Sequence, residues 1–304
     1  MRRMLGAMFA LFLAAGALTA CGGRGEKQEA APIATETVTT EQDAEEPAAK
    51  VAPVKVNVTG KDYDFDVPAI IRGGLVELTF NNAGREPHFA RLGKIAQGKT
   101  FADVKAALTA PPSGGPPPGP PPFEEFGGFA TTGPGGRTRI AFNLPAGDYV
   151  MYCMMPAPDG VPHAAKGMID EVAVIEGTEG SLPPSVGTVI GTDFSLHPPV
   201  PTLKAGTNVV RLRNEGRQLH EINLVEFGPG RKVEDVVAWH RQPAGPPPVR
   251  YLGGVAIKPG EEAATELELK TGRTYAFICE IPDFLGDFQP HVTKGMYTHA
   301  FTVS

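Results

Sequence analysis

The chain has 304 residues, with 28 Lys and Arg against 34 Asp and Glu and a formal net charge of −6. That balance argues against a nucleic-acid surface, which calls for clustered Lys and Arg. The length suits two domains of ordinary size, each able to bury a core.

Arg2 and Arg3 open the chain and Met4 to Leu18 is an apolar run, so residues 1–20 have the form of a targeting segment. The run is short for a bilayer span, and no second run reaches membrane length. Leu18-Thr19-Ala20-Cys21 resembles a bacterial lipoprotein signal box, which makes Cys21 the lipidated first residue of an extracytoplasmic, membrane-anchored protein. The absence of Asp after Cys21 resembles outer-membrane sorting, should the cell have two membranes. Residues 21–53 are rich in Ala, Glu, Thr, Pro and Gln and read as a disordered tether, too poor in bulky apolar side chains to fold.

From Val54 the pattern changes to short β-type runs: Val54–Val58, Leu75–Phe80, Ile140–Leu144, Tyr149–Cys153 and Glu171–Ile175. Gly, Pro and Asn separate them, as in an antiparallel sandwich or barrel. A short helix is expected over Thr100–Leu108, with Phe101, Val104 and Leu108 on one face, followed by a semi-rigid Pro-rich loop over 111–122. Residues 179–187 read as a linker. The second set of runs is Asn208–Arg213, Glu221–Val225, Ala263–Leu269, Tyr275–Cys279 and His299–Val303, with a helix over Lys232–His240. The expected fold class is all-β: two tandem sandwiches over 54–178 and 188–304, each with one short helix.

The two halves are copies. Asn82-Ala83-Gly84-Arg85-Glu86-Pro87-His88 matches Asn214-Glu215-Gly216-Arg217-Gln218-Leu219-His220, and His163-Ala164-Ala165-Lys166-Gly167-Met168 matches His291-Val292-Thr293-Lys294-Gly295-Met296. Each copy therefore carries His, Cys, His and Met in that order: His88, Cys153, His163 and Met168, then His220, Cys279, His291 and Met296. Two imidazoles and a thiolate in a plane, with a weak thioether above it, form the ligand set of a type 1 blue copper site. A Cys153–Cys279 disulfide is the competing reading of the two thiols outside the signal. It leaves unexplained why each Cys occupies the same place in its own repeat. His197, His240 and His299 have no counterpart in the other copy and read as ordinary residues. Met154 and Met155 read as loop packing. Glu280, Asp283 and Asp287 could steer a cationic partner or be a solvated loop.

Phe80-Asn81-Asn82-Ala83-Gly84-Arg85-Glu86-Pro87-His88 resembles the first-histidine loop of plastocyanins, and Ala146-Gly147-Asp148-Tyr149-Val150-Met151-Tyr152-Cys153 resembles the strand that leads to their copper cysteine. Thr271 to Cys279 is a weaker second instance. The resemblance is to the cupredoxin family, with plastocyanin and azurin among its members, and covers nearly all of 54–304. It implies Greek-key sandwiches, two copper ions, His88, His163, His220 and His291 as imidazole ligands, Cys153 and Cys279 as thiolates, and Met168 and Met296 as axial thioethers. The loops between Cys and the second His, of nine and eleven residues, are longer than in small blue copper proteins and nearer to those of copper nitrite reductases. Oxidases and nitrite reductases of this family need further His clusters, often H-x-H, and commonly a His before the copper Cys. Here Tyr152 and Ile278 stand there and no H-x-H occurs. The expected function is one-electron transfer between redox protein partners, without enzymatic activity or a small-molecule substrate. Copper storage or delivery is the competing reading.

Overall fold

The computed structural model describes residues 51–110, 120–197 and 203–304. The signal segment, Cys21, the tether up to residue 50 and most of the Pro-rich run lie outside the described residues.

In the first half the elements are β1 (Val54–Lys61), β2 (Asp64–Asp66), β3 (Ile70–Arg72), β4 (Gly74–Asn82), β5 (His88–Ile95), α1 (Phe101–Thr109), β6 (Phe123–Thr132), β7 (Arg137–Leu144), β8 (Gly147–Tyr152), the one-turn α2 (His163–Lys166) and β9 (Ile169–Ile175). The second half has β10 (Gly187–Thr192), β11 (Ser195–His197), β12 (Gly206–Asn214), β13 (His220–Phe227), α3 (Val233–Arg241), β14 (Val249–Ile257), β15 (Glu262–Leu269), β16 (Thr274–Ile278), a 3-10 turn (His291–Lys294) and β17 (Phe301–Thr302), in the same order but, among the described residues, with no counterpart of β3. The all-β class holds. Both helices lie within one residue of their expected bounds, whereas the last expected strand shrinks to Phe301–Thr302.

Local chemistry accounts for these elements. β1 buries Val56 and Val58 at alternate positions, the period of a half-buried strand. The α1 turn is closed by a capping box in which the Asp103 amide donates to Thr100 Oγ1 at 3.2 Å and the Thr100 amide donates to Asp103 at 2.8 Å. Val104 then packs into the core, supplying the tertiary anchor that a nine-residue helix requires.

The strands form two sheets, and both run through both halves. One has eight strands in the order β11-β10-β12-β15-β7-β4-β1-β2; the other has nine, β17-β16-β13-β14-β6-β5-β8-β9-β3. The halves meet at β15 against β7 and at β14 against β6, antiparallel in each case. Phe80, Phe129, Phe142, Leu78 and Leu92 from the first half share one buried cluster with Val210, Leu212, Leu224 and Phe277 from the second.

Candidate metal centres

The first histidine of each set stands at the start of a strand, after a loop fixed by a buried asparagine. Asn82 Nδ2 donates to the Glu86 and Thr132 carbonyls, both at 2.8 Å, and its Oδ1 accepts the Gly84 amide at 2.9 Å. Asn214 makes the same three bonds with Gln218, Ile257 and Gly216, at 2.8, 2.8 and 2.9 Å. An Asn side chain that folds back on its own loop in this way replaces backbone pairing the turn cannot make. Gly84 and Gly216 are required by crowding: a Cβ there would lie 2.6 and 2.3 Å from the Nε2 of His88 and of His220.

The cysteine, second histidine and methionine form a clasp of backbone bonds. The Cys153 amide donates to the Met168 carbonyl at 3.1 Å, the Ala164 amide to the Cys153 carbonyl at 2.7 Å, and the Met168 amide to the His163 carbonyl at 3.0 Å. In the second half Cys279, Val292, Met296 and His291 repeat these bonds at 3.0, 2.7 and 3.1 Å. Loops of nine and eleven residues thus return their His and Met to the same relative places.

His88, Cys153 and His163 converge, as do His220, Cys279 and His291, with the candidate donor atoms of each trio within 4.8 Å of one another and every residue buried. The two Nδ1 atoms are 2.9 Å apart in the first centre and 3.3 Å in the second; Sγ to the nearer Nδ1 is 3.5 and 3.4 Å. Nitrogen and sulfur ligands at about 2.0–2.3 Å around one ion in a plane would stand about 3.5–3.7 Å apart, so both of these edges would widen by well under about 1 Å to take one. Met168 and Met296 are fully buried beside them. Both cysteines are free, so the disulfide reading fails.

Carboxylates fix the imidazole tautomers. His88 Nε2–H faces Asp62 Oδ1 at 3.1 Å, and His220 Nε2–H faces Asp193 Oδ1 at 2.9 Å, which leaves each Nδ1 lone pair for the centre. His163 Nε2–H faces Glu86 at 2.9 Å, and Glu86 also accepts the Tyr63 hydroxyl at 2.8 Å. Here the copies part. Gln218 stands in place of Glu86 and donates instead to Asp283 at 2.8 Å, Phe194 stands in place of Tyr63, and His291 Nε2 is buried with no partner among the described residues.

Burial dominates the titration of the centres. It holds His88, His163 and His220 below the usual imidazole range, and with the neighbouring His220 it brings His291 down to about 4. It pushes the Cys153 thiol up to about 12 and Cys279 higher still. Against that, the backbone amides of Phe89 and Met155 in one half, and of Glu221 and Ile281 in the other, favour the thiolate. Four neutral ring nitrogens and two shielded sulfurs are a soft donor set suited to copper.

The remaining sequence candidates fall outside these trios. His240 Nε2 is 2.7 Å from Glu280, His197 Nε2 is 3.4 Å from the Thr192 hydroxyl, and His299 is exposed. Met154 and Met155 pack against the core. Glu280 accepts from Tyr251 and Asn223, and Asp283 is buried against Gln218 and Lys294. Both are structural groups rather than open charges for steering, and Asp287 pairs with Lys294. The residues that sequence reasoning missed are Asp62, Asp193 and Glu86. A signal existed in the parallel pairs Asp62-Tyr63 and Asp193-Phe194, at nearly equal distances ahead of the first histidines.

No protein-family model matches the chain, and no curated protein does. Similar solved structures include reduced auracyanin from the photosynthetic bacterium Roseiflexus castenholzii, 25% identical over 41% of this chain and 99% of that one, TM-score 0.27. Auracyanin A, a "blue" copper protein of Chloroflexus aurantiacus, is 20% identical over 41% of this chain and all of that one, TM-score 0.28. The Blue Copper Oxidase of Nitrosomonas europaea is 13% identical over 83% of this chain and 86% of that one, TM-score 0.25. In its paired β-sheets and in the twice-repeated donor set, the chain is cupredoxin-like.

Proposed function

We propose that this chain is an extracytoplasmic electron carrier with two type 1 copper centres, tethered to a membrane through lipid on Cys21. His88, His163, Cys153 and Met168 would hold one ion, and His220, His291, Cys279 and Met296 the other. Bound copper supplies a one-electron couple. The chain supplies ligands that cannot move far when the charge changes, because each sits in the backbone clasp or beside a tautomer-fixing carboxylate.

The observation that carries this reading is the repetition of a buried trio of two Nδ1 and one Sγ in the same clasp in both halves. No substrate cleft is needed for it. A cavity of about 450 Å³ opens where the halves meet, lined by Arg137, Arg250, Tyr251 and Glu268, and none of the eight ligand candidates lines it.

Copper counting with visible absorption on the full chain tests the proposal. Two ions per chain with an intense thiolate-to-copper band are expected, and Cys153→Ser removes the contribution of the first half while leaving the second. A copper-loaded chain without that band overturns the reading. Fast copper exchange with a chelator and no electron transfer to a redox protein replaces it with storage or delivery.

A further inference from the structure

One row of the nine-stranded sheet runs from the residue before Cys153 into the second half. Tyr152, the residue before Cys153, is paired with Arg91; Arg91 with Gly128; Gly128 with Ala256; and Ala256 with Glu221. The row crosses from β8 through β5, β6 and β14 to β13. Arg91 and Glu221 are thus three strand gaps apart, about 14 Å in a flat sheet, yet Arg91 Nη2 donates to Glu221 Oε2 at 2.9 Å. They meet because the two positions between them carry almost no side chain. A Cβ on Gly128 would lie 2.5 Å from the Ala90 carbonyl oxygen and 3.0 Å from Arg91 Cα, at a φ of +124°.

Each end of this ion pair reaches a residue next to a cysteine. Glu221 Oε1 accepts the amide of Glu280, the next residue along from Cys279, at 2.8 Å. Arg91 is the ladder partner of Tyr152, the residue before Cys153. From Cys153 to Cys279 the route is covalent except at three contacts: the ladder pairing of Tyr152 with Arg91, Arg91 to Glu221, and Glu221 to the Glu280 amide. Arg91 and Glu221 are both buried. A buried ion pair is poor value as a source of stability, since an apolar pair of like size commonly serves as well or better. Its place on the row calls for another role.

We propose that the Arg91–Glu221 pair is the coupling element between the two centres, the positioning pair through which an electron passes from one half to the other within a single chain. The inference rests on the two-copper reading above. In the transfer one centre is oxidised and the other reduced by one electron; no bond forms or breaks, and Arg91 keeps its protons.

The experiment uses the full copper-loaded chain, half-reduced by a radiolytic pulse, with re-equilibration between the centres followed by absorption. The wild type and Arg139→Met, which removes an ion pair to Glu266 across the other sheet, are expected to exchange at a rate independent of protein concentration. Arg91→Met/Glu221→Leu removes both charges and is expected to keep both blue signals and both potentials while exchange slows roughly tenfold, about 1.4 kcal/mol of barrier. Arg91→Lys keeps the charge but not the reach or fork, and should slow exchange in a chain that folds normally. In the copper-free chain, Arg91→Lys should shift the amide resonances of both Tyr152 and Glu280, each next to a cysteine, and Arg139→Met neither. Blue signals with unchanged exchange in both Arg91 variants overturn this inference and leave the two-copper reading standing. Absence of blue signals in the wild type overturns that reading and this inference with it.

Discussion

Asp62 holds the first centre's leading histidine from outside, so Asp62→Ala should weaken one centre alone. Its carboxylate accepts the Arg85 amide at 2.9 Å, Arg85 Nε at 3.2 Å, the Glu86 amide at 3.4 Å and His88 Nε2–H at 3.1 Å. Water can replace it for the exposed Arg85. It cannot do so for the buried ring, and an abandoned buried N–H costs about 1–3 kcal/mol. Loss of such an outer carboxylate typically lowers metal affinity 10- to 100-fold, about 1.4–2.7 kcal/mol. Copper(I) affinity, measured by competition with a chromophoric chelator on a Cys279→Ser background, isolates the first centre and should fall by that amount. Asp193→Ala on the same background should change nothing, because Asp193 serves His220. Unchanged affinity in Asp62→Ala, or an equal fall in both variants, would refute the assignment of one carboxylate to each leading histidine.

Glu86 places a carboxylate on His163 that His291 lacks, so the oxidised state should be favoured more at the first centre and its potential should be the lower. Glu86→Gln should raise that potential towards the second centre's, as read by spectroelectrochemistry. Metal must displace a proton from each raised thiol while the lowered histidines are already neutral, so copper affinity should rise about tenfold per pH unit between about pH 6.5 and 9. Calorimetry in buffers of different ionisation enthalpy counts the protons released, one for each copper bound. The same histidines bind protons more readily unfolded than folded, so the copper-free chain should lose stability as pH falls from about 6.5 towards 4, by denaturant titration. Asn82→Ala strips two buried carbonyls of their donor and should cost the copper-free chain about 2–4 kcal/mol.

The donor atoms were legible because the chain states them twice, and because Cys, His and Met have few other reasons to recur in one order. The outer shell was not, for a physical reason: Asp62 and Asp193 act through space from the turns that follow β1 and β10, and a carboxylate in a turn looks like any solvated turn. Of the four strands that join the halves, β7 and β15 were legible as the runs Ile140–Leu144 and Ala263–Leu269, whereas β6 and β14 were missed. β6 and β14 carry Gly127-Gly128 and Gly253-Gly254, all at positive φ, and both strands shift register in their pairings within the sheet. Doubled glycines of this kind read as loops, so the sequence did not reveal that both sheets continue by strand pairing from one half into the other. Along the chain only residues 176–186 lie between β9 and β10, and the larger joins are made elsewhere.

That seam bears on how the molecule can be divided. Cutting the chain after the first repeat would strip partners from β6 and β7 at once and leave two open ladders side by side. The shape that fits them is already known, since the second repeat offers its own β14 and β15 in the same antiparallel sense. A liberated repeat would therefore tend to find its own twin, and the duplicated chain reads as such a pair made permanent by one peptide connection.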